Sequence, residues 1–178
     1  MAPACKVIPQ PVRMTASEFK KLPKGSPGEI RRWAWKKRLK APCGQFGVEL
    51  FTDDEDPLDQ RMLKLVEELA RYAQAHSEYI REIIYGHYRY YVTEYGPDAL
   101  FSDMPADLEP EQIWKHCEPC LLVSRNPKEG FEGPPFDCEI SVGPNWEPEH
   151  GLTLEFSEGA IVTVNQGPFK IVNGILRQ

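Results

Sequence analysis

Residues 57–91, PLDQRMLKLVEELARYAQAHSEYIREIIYGHYRYY, decide the fold of this chain. Apolar side chains recur there at steps of three and four residues, which is the spacing of one face of an α-helix. The pattern predicts one long helix over this stretch, with a break near residues 76–77 or at Gly86. Asp56 is predicted to cap the helix, and Pro57 to be its first residue.

Alternating apolar residues on both sides of this helix predict strands. Residues 29–40 and 45–51 are predicted to be antiparallel strands joined by a turn at 42–44, and residues 109–116 a short helix with Pro at its first position. Further strands are predicted at 121–123, 136–142, 152–156 and 161–164, the last two as a hairpin. The predicted fold class is therefore α+β: an antiparallel sheet with one long helix and short helices packed on one face.

Length and charge place the chain among ordinary globular proteins. It has 178 residues, 27 acidic and 21 basic, with a formal net charge of -6. It contains no apolar run of the roughly 20 residues that a membrane helix needs. The first residues have no apolar core of a signal peptide. Together with an odd number of cysteines, five, this predicts a cytoplasmic protein with reduced thiols, no membrane contact and no cofactor.

The domain organisation follows from the distribution of proline. Residues 1–27 carry five prolines and little apolar periodicity, which predicts a loosely held N-terminal arm. Residues 28–178 are predicted to form a single α+β domain.

The sequence Cys117-Glu118-Pro119-Cys120 is a C-x-x-C pair. Three interpretations are open: a redox pair, half of a zinc site completed by Cys138 or His150, or the end of a helix followed by a strand that starts at Cys120. A redox cysteine belongs at a helix N-terminus, whereas this pair follows the predicted helix 109–116. We therefore favour the structural interpretation, and Cys117 and Cys120 stay weak metal candidates.

The segment Lys20 to Lys40 holds nine of the basic residues and one acid, together with Trp33 and Trp35. Cations interleaved with tryptophan could bind single-stranded nucleic acid by phosphate contacts and stacking. The ordinary alternative is a basic strand face beside the core. Because the net charge is negative, we do not expect nucleic acid to be the partner of the chain.

The connection between the predicted strands 136–142 and 152–156 concentrates polar chemistry. Trp146, Glu147, Glu149 and His150 lie there, and a turn at Pro148 could bring both carboxylates to the imidazole. Such a cluster could bind a divalent metal or perform general acid–base chemistry, with His116 or Cys138 as an additional group. The alternative is structural: Trp146 closes the edge of the core, and His150 fixes the loop by hydrogen bonds to backbone carbonyls or to Glu149. We favour the structural interpretation.

The same heptapeptide, Trp146 to Leu152, resembles a W-x-x-E-H-G-L signature in a bacterial family of uncharacterised function. The resemblance extends over about residues 30–165 and includes a short helix like 113–116, paired tyrosines like Tyr90-Tyr91, and a hairpin running into an acidic helix start. It implies an α+β domain, and some members are associated with toxin–immunity neighbourhoods, which implies a protein-binding role. It implies no catalytic residues.

These observations favour a non-enzymatic protein-interaction module, with an immunity-like role as its most specific form. No phosphate-binding loop, nucleophile elbow or zinc-protease motif occurs in the sequence. The alternative is a metal-binding protein or a hydrolase-like enzyme that uses Glu147, Glu149 and His150.

Overall fold

Two consecutive α-helices occupy the stretch for which one long helix is predicted. The computed structural model describes residues 12–23, 30–52, 58–100, 104–125, 136–165, 170–172 and 175–177. Helix α1 is Gln60–Ala75 and helix α2 is Ser77–Tyr95. The break lies at His76, where φ is -118° and ψ is 23°. This is one of the two positions at which a break is predicted. No helix within the described residues has both the length and the apolar character that crossing a bilayer requires.

Helix α1 begins later than the sequence pattern predicts. Leu58 and Asp59 are not helical, and the side chain of Asp59 accepts a hydrogen bond of 2.7 Å from the backbone N–H of Arg61. Asp59 is therefore the N-cap of α1, which starts three residues later than predicted; the predicted cap, Asp56, and Pro57 lie outside the described residues. A second contact favours Asp59, because its carboxylate also pairs with Arg125 at 3.0 Å.

Eight strands within the described residues form one sheet. Their spatial order is β1-β2-β4-β5-β6-β7-β8, with β3 paired to β4. Two further strands, Lys170–Val172 (β9) and Ile175–Arg177 (β10), pair only with each other among these strands. The strands of the main sheet are Phe19–Lys21 (β1), Arg31–Trp35 (β2), Leu39–Ala41 (β3), Gly44–Thr52 (β4), Cys117–Arg125 (β5), Phe136–Pro144 (β6), Leu152–Ser157 (β7) and Ala160–Asn165 (β8).

The α+β class is confirmed, but the sheet is mixed rather than wholly antiparallel. Strands β4 and β5 run parallel, with Leu50 opposite Val123, while the other neighbouring pairs in the sheet are antiparallel. The reason is the connection: both helices lie between these two strands and return the chain to the same end of the sheet. Sequence alternation alone does not distinguish the two directions.

The two faces of the sheet differ in burial. Alternate residues such as Val48, Leu121 and Ile140 are at most 2% exposed, and helix α1 contacts strands β3, β5 and β6. The residues between them are half-buried and form what we call the open face. Its central members are Glu49, Phe51, Cys120, Leu122, Glu139 and Ser141.

The strand that follows the short helix begins earlier than predicted. The turn of 3-10 helix at Pro110–His116 has proline at its start, as predicted, and β5 begins directly after it at Cys117. The prediction of a strand start at Cys120 is therefore wrong. Pro119 is tolerated within the strand because β5 pairs with β4 only from Cys120 onward.

The predicted hairpin at the C-terminal end of the sheet is confirmed. Ser157 pairs with Ala160, and the two residues between them, Glu158 and Gly159, have φ values of 52° and 84°. Positive φ at both central positions is the geometry of a type I′ turn, which matches the twist of antiparallel strands.

Part of the predicted N-terminal arm is packed against the domain. Strand β1 pairs with β2, Met14 and Phe19 are buried, and the backbone N–H of Met14 donates to Glu67 Oε1 at 2.7 Å. The described residues 12–23 thus belong to the sheet and its core. The boundary between an arm of residues 1–27 and a domain of residues 28–178 stays a prediction, because much of the arm lies outside the described ranges.

Candidate functional site

The loop of residues 145–151 joins β6 to β7 and carries the candidate cluster. Its path is fixed at both ends. The backbone N–H of Asn145 donates to the carbonyl of His116 at 2.9 Å, and that of Glu147 donates to the carbonyl of Pro144 at 3.3 Å. At the other end, Gly151 adopts a φ of 69°, a conformation that glycine reaches without steric cost.

Gly151 is expected to be intolerant of a side chain. A Cβ atom there would lie 3.1 Å from the backbone carbonyl oxygen of Val142, in addition to the strain of positive φ. We expect Gly151→Ala to lower the free energy of unfolding by about 1 to 2 kcal/mol, measured by urea denaturation. Gly143→Ala is the matched control, since nothing lies within 4 Å of its Cβ position. Equal stability of the two variants would contradict this account of the loop.

Trp146 lies in the core and supports the site from below. It is fully buried, and its ring meets that of Tyr88 edge-on at 5.5 Å. Its Nε1–H donates to Nδ1 of His87 at 3.0 Å. Because an indole nitrogen can only donate, Nδ1 of His87 is the acceptor, and the proton of the neutral imidazole is on Nε2.

Glu147 and His150 form a hydrogen-bonded pair. Oε1 of Glu147 accepts from Nδ1 of His150 at 2.8 Å and from the backbone N–H of His150 at 3.2 Å. The Glu147 side chain is only 10% exposed, whereas that of His150 is 63% exposed. The second carboxylate oxygen, Oε2, is buried and has no hydrogen-bond partner among the described residues. The loop therefore holds a buried carboxylate that is half satisfied.

The pair lines a cleft against the C-terminal end of α2, which we call the Tyr91 cleft. Its volume is about 420 Å³. The rings of Tyr91 and Tyr95 lie 4.8 Å apart, inclined at 45°, and Tyr95 is 60% exposed. The lining residues are His87, Tyr90, Tyr91, Tyr95, Glu147, Glu149 and His150.

The carboxylates of the loop set the electrostatics of this cleft. The hydrogen bond and charge of Glu147 raise the pKa of His150 above its ordinary value of 6.5. Burial lowers the pKa of His87, and the charge of Glu147 opposes that effect. Burial and then the charge of Glu147 raise the pKa of Tyr91. At neutral pH the cleft is consequently a negatively charged site with a neutral His87.

Of the four predicted cluster residues, the structure brings three to this cleft and places Trp146 behind it. The other wall of the cleft belongs to α2, where the helical pattern predicts packing and no site residue. Tyr88 is indeed core, but His87, Tyr91 and Tyr95 follow each other at four-residue steps, which puts them on one face of α2. That spacing was the signal available in the sequence.

The C-x-x-C pair has the properties of packed, protonated thiols. Cys117 donates to the carbonyl of Ile113 at 3.4 Å, and burial raises the pKa of both Cys117 and Cys120 to about 12. Reactive cysteines show the opposite shift. Within the described residues, no three His, Cys, Asp or Glu side chains are grouped so that they could hold a metal ion. The structure does not group the pair with Cys138 or His150.

The tryptophans of the basic segment are covered by the chain's own cations. Lys21 lies 5.5 Å from the centre of the Trp33 ring, and Lys37 lies 5.6 Å from that of Trp35. The indole N–H of Trp33 donates to the Thr52 hydroxyl at 3.2 Å. These rings are half-buried against the core, so they do not form a free platform for stacked bases.

The open face has a hollow of about 680 Å³ near β2, β4 and β5. A bidentate ion pair between Arg32 and Glu49, with both distances 2.6 Å, crosses it. Asn145 and Pro148 border this hollow, whereas Glu147, Glu149 and His150 line the Tyr91 cleft. The loop of residues 145–151 therefore contributes to both surfaces.

Comparison with known proteins gives one match. A family model described as "Domain of unknown function (DUF6985)" matches residues 27–170, which include the open face and the Tyr91 cleft. No curated protein and no solved structure matches the chain.

Proposed function

The chain belongs to the DUF6985 family, and we propose that it is a non-enzymatic module that binds another protein through the open face of its sheet. The observation that carries this proposal is the composition of that face. Apolar Phe51 and Leu122 lie there beside charged Glu49 and Glu139, all of them half-buried. A broad surface that mixes apolar and charged side chains is typical of protein interfaces, whereas small ligands bind in concave, mostly apolar pockets.

The acidic charge at the β6–β7 end of the open face favours a basic partner there. Glu139 lies directly opposite Glu155 on the neighbouring strand, and Asp137 is on the same face. Burial and the charges of Asp137 and Glu155 raise the pKa of Glu139. Like charges in opposite positions destabilise a sheet, so a cationic partner would relieve this repulsion. The net charge of -6 would also steer a basic protein toward the module.

The proposal extends to an immunity-like role in the bacterial cytoplasm, which is the most specific form that the sequence resemblance implies. A reducing compartment agrees with the four described cysteines, which are all free thiols. Co-expression should then relieve the growth arrest caused by a toxic product of a neighbouring gene. Growth arrest that persists with the wild-type chain would contradict this extension.

Affinity capture with matched variants tests the interaction. The wild-type chain should recover a basic protein from its host at physiological salt, and Glu139→Lys should lose it. Glu82→Lys makes the same change of charge at an exposed position of helix α2 and should still recover the partner. Equal recovery of a partner by all three proteins would count against the open face as the binding surface. Failure of all three to recover a partner would count against it as well. We do not propose nucleic acid as the partner; a titration with single-stranded DNA should show no salt-sensitive binding.

A second candidate function has one observation in its favour. The Glu147–His150 pair places a carboxylate on Nδ1 of an exposed imidazole that lines the cleft, and such a carboxylate orients a general base. No serine, cysteine or threonine is among the lining residues of the cleft, so a hydrolase-like reaction would need water as the nucleophile. Hydrolysis of activated esters that His150→Asn abolishes and Glu82→Lys leaves intact would favour this alternative.

A further inference from the structure

The walls of the Tyr91 cleft carry more acidic than basic groups. Glu147 and Glu149 both line it, and no lysine or arginine is among its lining residues. His150, which is hydrogen-bonded to Glu147, offsets one of these two charges below its raised pKa and is neutral above it. A ligand of this cleft is therefore expected to be positively charged.

The buried carboxylate of Glu147 gives the cleft a specific acceptor. One of its oxygens accepts from His150. The other has no partner in the described part of the chain, on a side chain that is nine-tenths buried. Leaving a buried charged oxygen unpaired costs free energy. A hydrogen-bond donor that enters the cleft and reaches this oxygen, which is closed to solvent in the structure, would remove that cost.

The aromatic side chains of the cleft select the kind of cation. Tyr91 and Tyr95 offer inclined ring faces at the mouth, and Tyr90 adds a third ring. The faces of aromatic rings attract organic cations, arginine more often than lysine, because the planar guanidinium stacks on them while it donates hydrogen bonds. A metal ion would need more ligating side chains than the described residues group together anywhere.

We propose that the Tyr91 cleft binds the guanidinium group of an arginine side chain, stacked on Tyr91 and Tyr95 and hydrogen-bonded to Glu147. The inference deepens the proposed function and rests on it for the source of the ligand, a basic protein partner. The loop of residues 145–151 borders both the cleft and the open face. One partner could therefore contact the open face and insert an arginine into the cleft.

The binding of small arginine derivatives tests the cleft without the partner. N-acetyl-arginine amide, titrated into the isotope-labelled full chain, should shift the NMR resonances of Tyr91, Tyr95 and His150, with a dissociation constant on the order of millimolar. N-acetyl-citrulline amide, which has the same shape without the charge, should not. Equal binding of both compounds would overturn the proposal, and so would equal or tighter binding of the lysine derivative or of Zn²⁺ at these resonances.

Three variants locate the binding. Glu147→Gln keeps an acceptor for His150 and should lower the affinity for the arginine derivative by at least about tenfold. Tyr95→Leu changes an exposed side chain and should weaken it by about three- to fivefold. Glu82→Gln, which lies outside the cleft, should leave the affinity for the arginine derivative unchanged. Unchanged affinity in both cleft variants would overturn the site. If the arginine derivative does not bind but the partner protein is still captured, only the proposal for the cleft is refuted, because Glu139→Lys tests the open face separately.

The affinity is also expected to depend on pH. The titratable groups that face the cleft are His87, His150, the two carboxylates and the three tyrosines. As the pH falls through the raised pKa of His150, its imidazolium pairs with Glu147, and the arginine derivative should bind more weakly. The same ion pair stabilises the folded protein at low pH. This stabilisation is complete below 6.5, the pKa of His150 in the unfolded chain, and is lost as the pH rises through the higher pKa of His150 in the folded protein. His150→Asn should abolish the pH step in binding, and a step that persists would overturn this part of the inference.

Discussion

Replacing Trp146 with alanine is expected to lower the free energy of unfolding by about 4 kcal/mol, the largest effect that we predict for a single substitution. The side chain is fully buried and packs edge-on against Tyr88. Its removal leaves a cavity in the core. It also leaves Nδ1 of His87, which accepts from the indole N–H, without its partner. Chemical denaturation followed by circular dichroism measures this change.

Trp146→Phe separates packing from hydrogen bonding. Phenylalanine keeps most of the ring volume and loses the N–H, so the expected loss is about 1 to 2 kcal/mol. The same variant should change the NMR titration of His87, because Nδ1 is then free to take a proton. If Trp146→Ala and Trp146→Phe were equally stable, the contribution of packing would be much smaller than we infer. A His87 titration that does not change would contradict the assigned tautomer.

The parts of the fold that could be predicted from sequence are those governed by local pattern. The helical spacing of residues 57–91 predicted both the helical segment and its break, because burial of one face repeats every three to four residues. The hairpin between β7 and β8 was predicted for a similar reason, since Glu158-Gly159 supplies the turn that its strands require.

The parts that failed depend on contacts between distant segments. The parallel direction of β4 and β5 follows from where the helices return the chain, which alternation in either strand does not encode. The choice of Asp59 over Asp56 as helix cap depends partly on Arg125, which is 66 residues away in the sequence. Such contacts are decided by the assembled sheet and not by local preference.

The candidate site divides in the same way. Glu147, Glu149 and His150 were found because polar residues cluster within one short loop. The other wall of the cleft, His87, Tyr91 and Tyr95, was missed because it becomes a wall only when the loop between β6 and β7 lies against the end of α2. The bond from Trp146 to His87 joins these two elements across 59 residues. The cleft is therefore a property of the tertiary structure.

Tyr88→Phe is expected to lower the free energy of unfolding by about 2 to 3 kcal/mol, because it removes two hydrogen bonds and leaves the buried backbone N–H of Leu108 unsatisfied. The Tyr88 hydroxyl donates to the carbonyl of Pro105 at 2.6 Å and accepts from the backbone N–H of Leu108 at 3.3 Å. It thereby attaches the segment before the helical turn at 110–116 to α2. The ring also packs on Trp146, so the support of the Tyr91 cleft begins here.

Tyr95→Phe is the matched control on the same helix. Tyr95 is exposed and its hydroxyl has no hydrogen-bond partner in the described part of the chain, so its loss should change the stability by less than about 0.5 kcal/mol. Hydrogen exchange identifies the cause, because the amide of Leu108 should lose protection in Tyr88→Phe and keep it in Tyr95→Phe. A Tyr88→Phe protein as stable as the control, with Leu108 still protected, would mean that the hydroxyl does not hold this segment. The arrangement of Tyr88 and Trp146 beneath the cleft would then depend on ring packing alone.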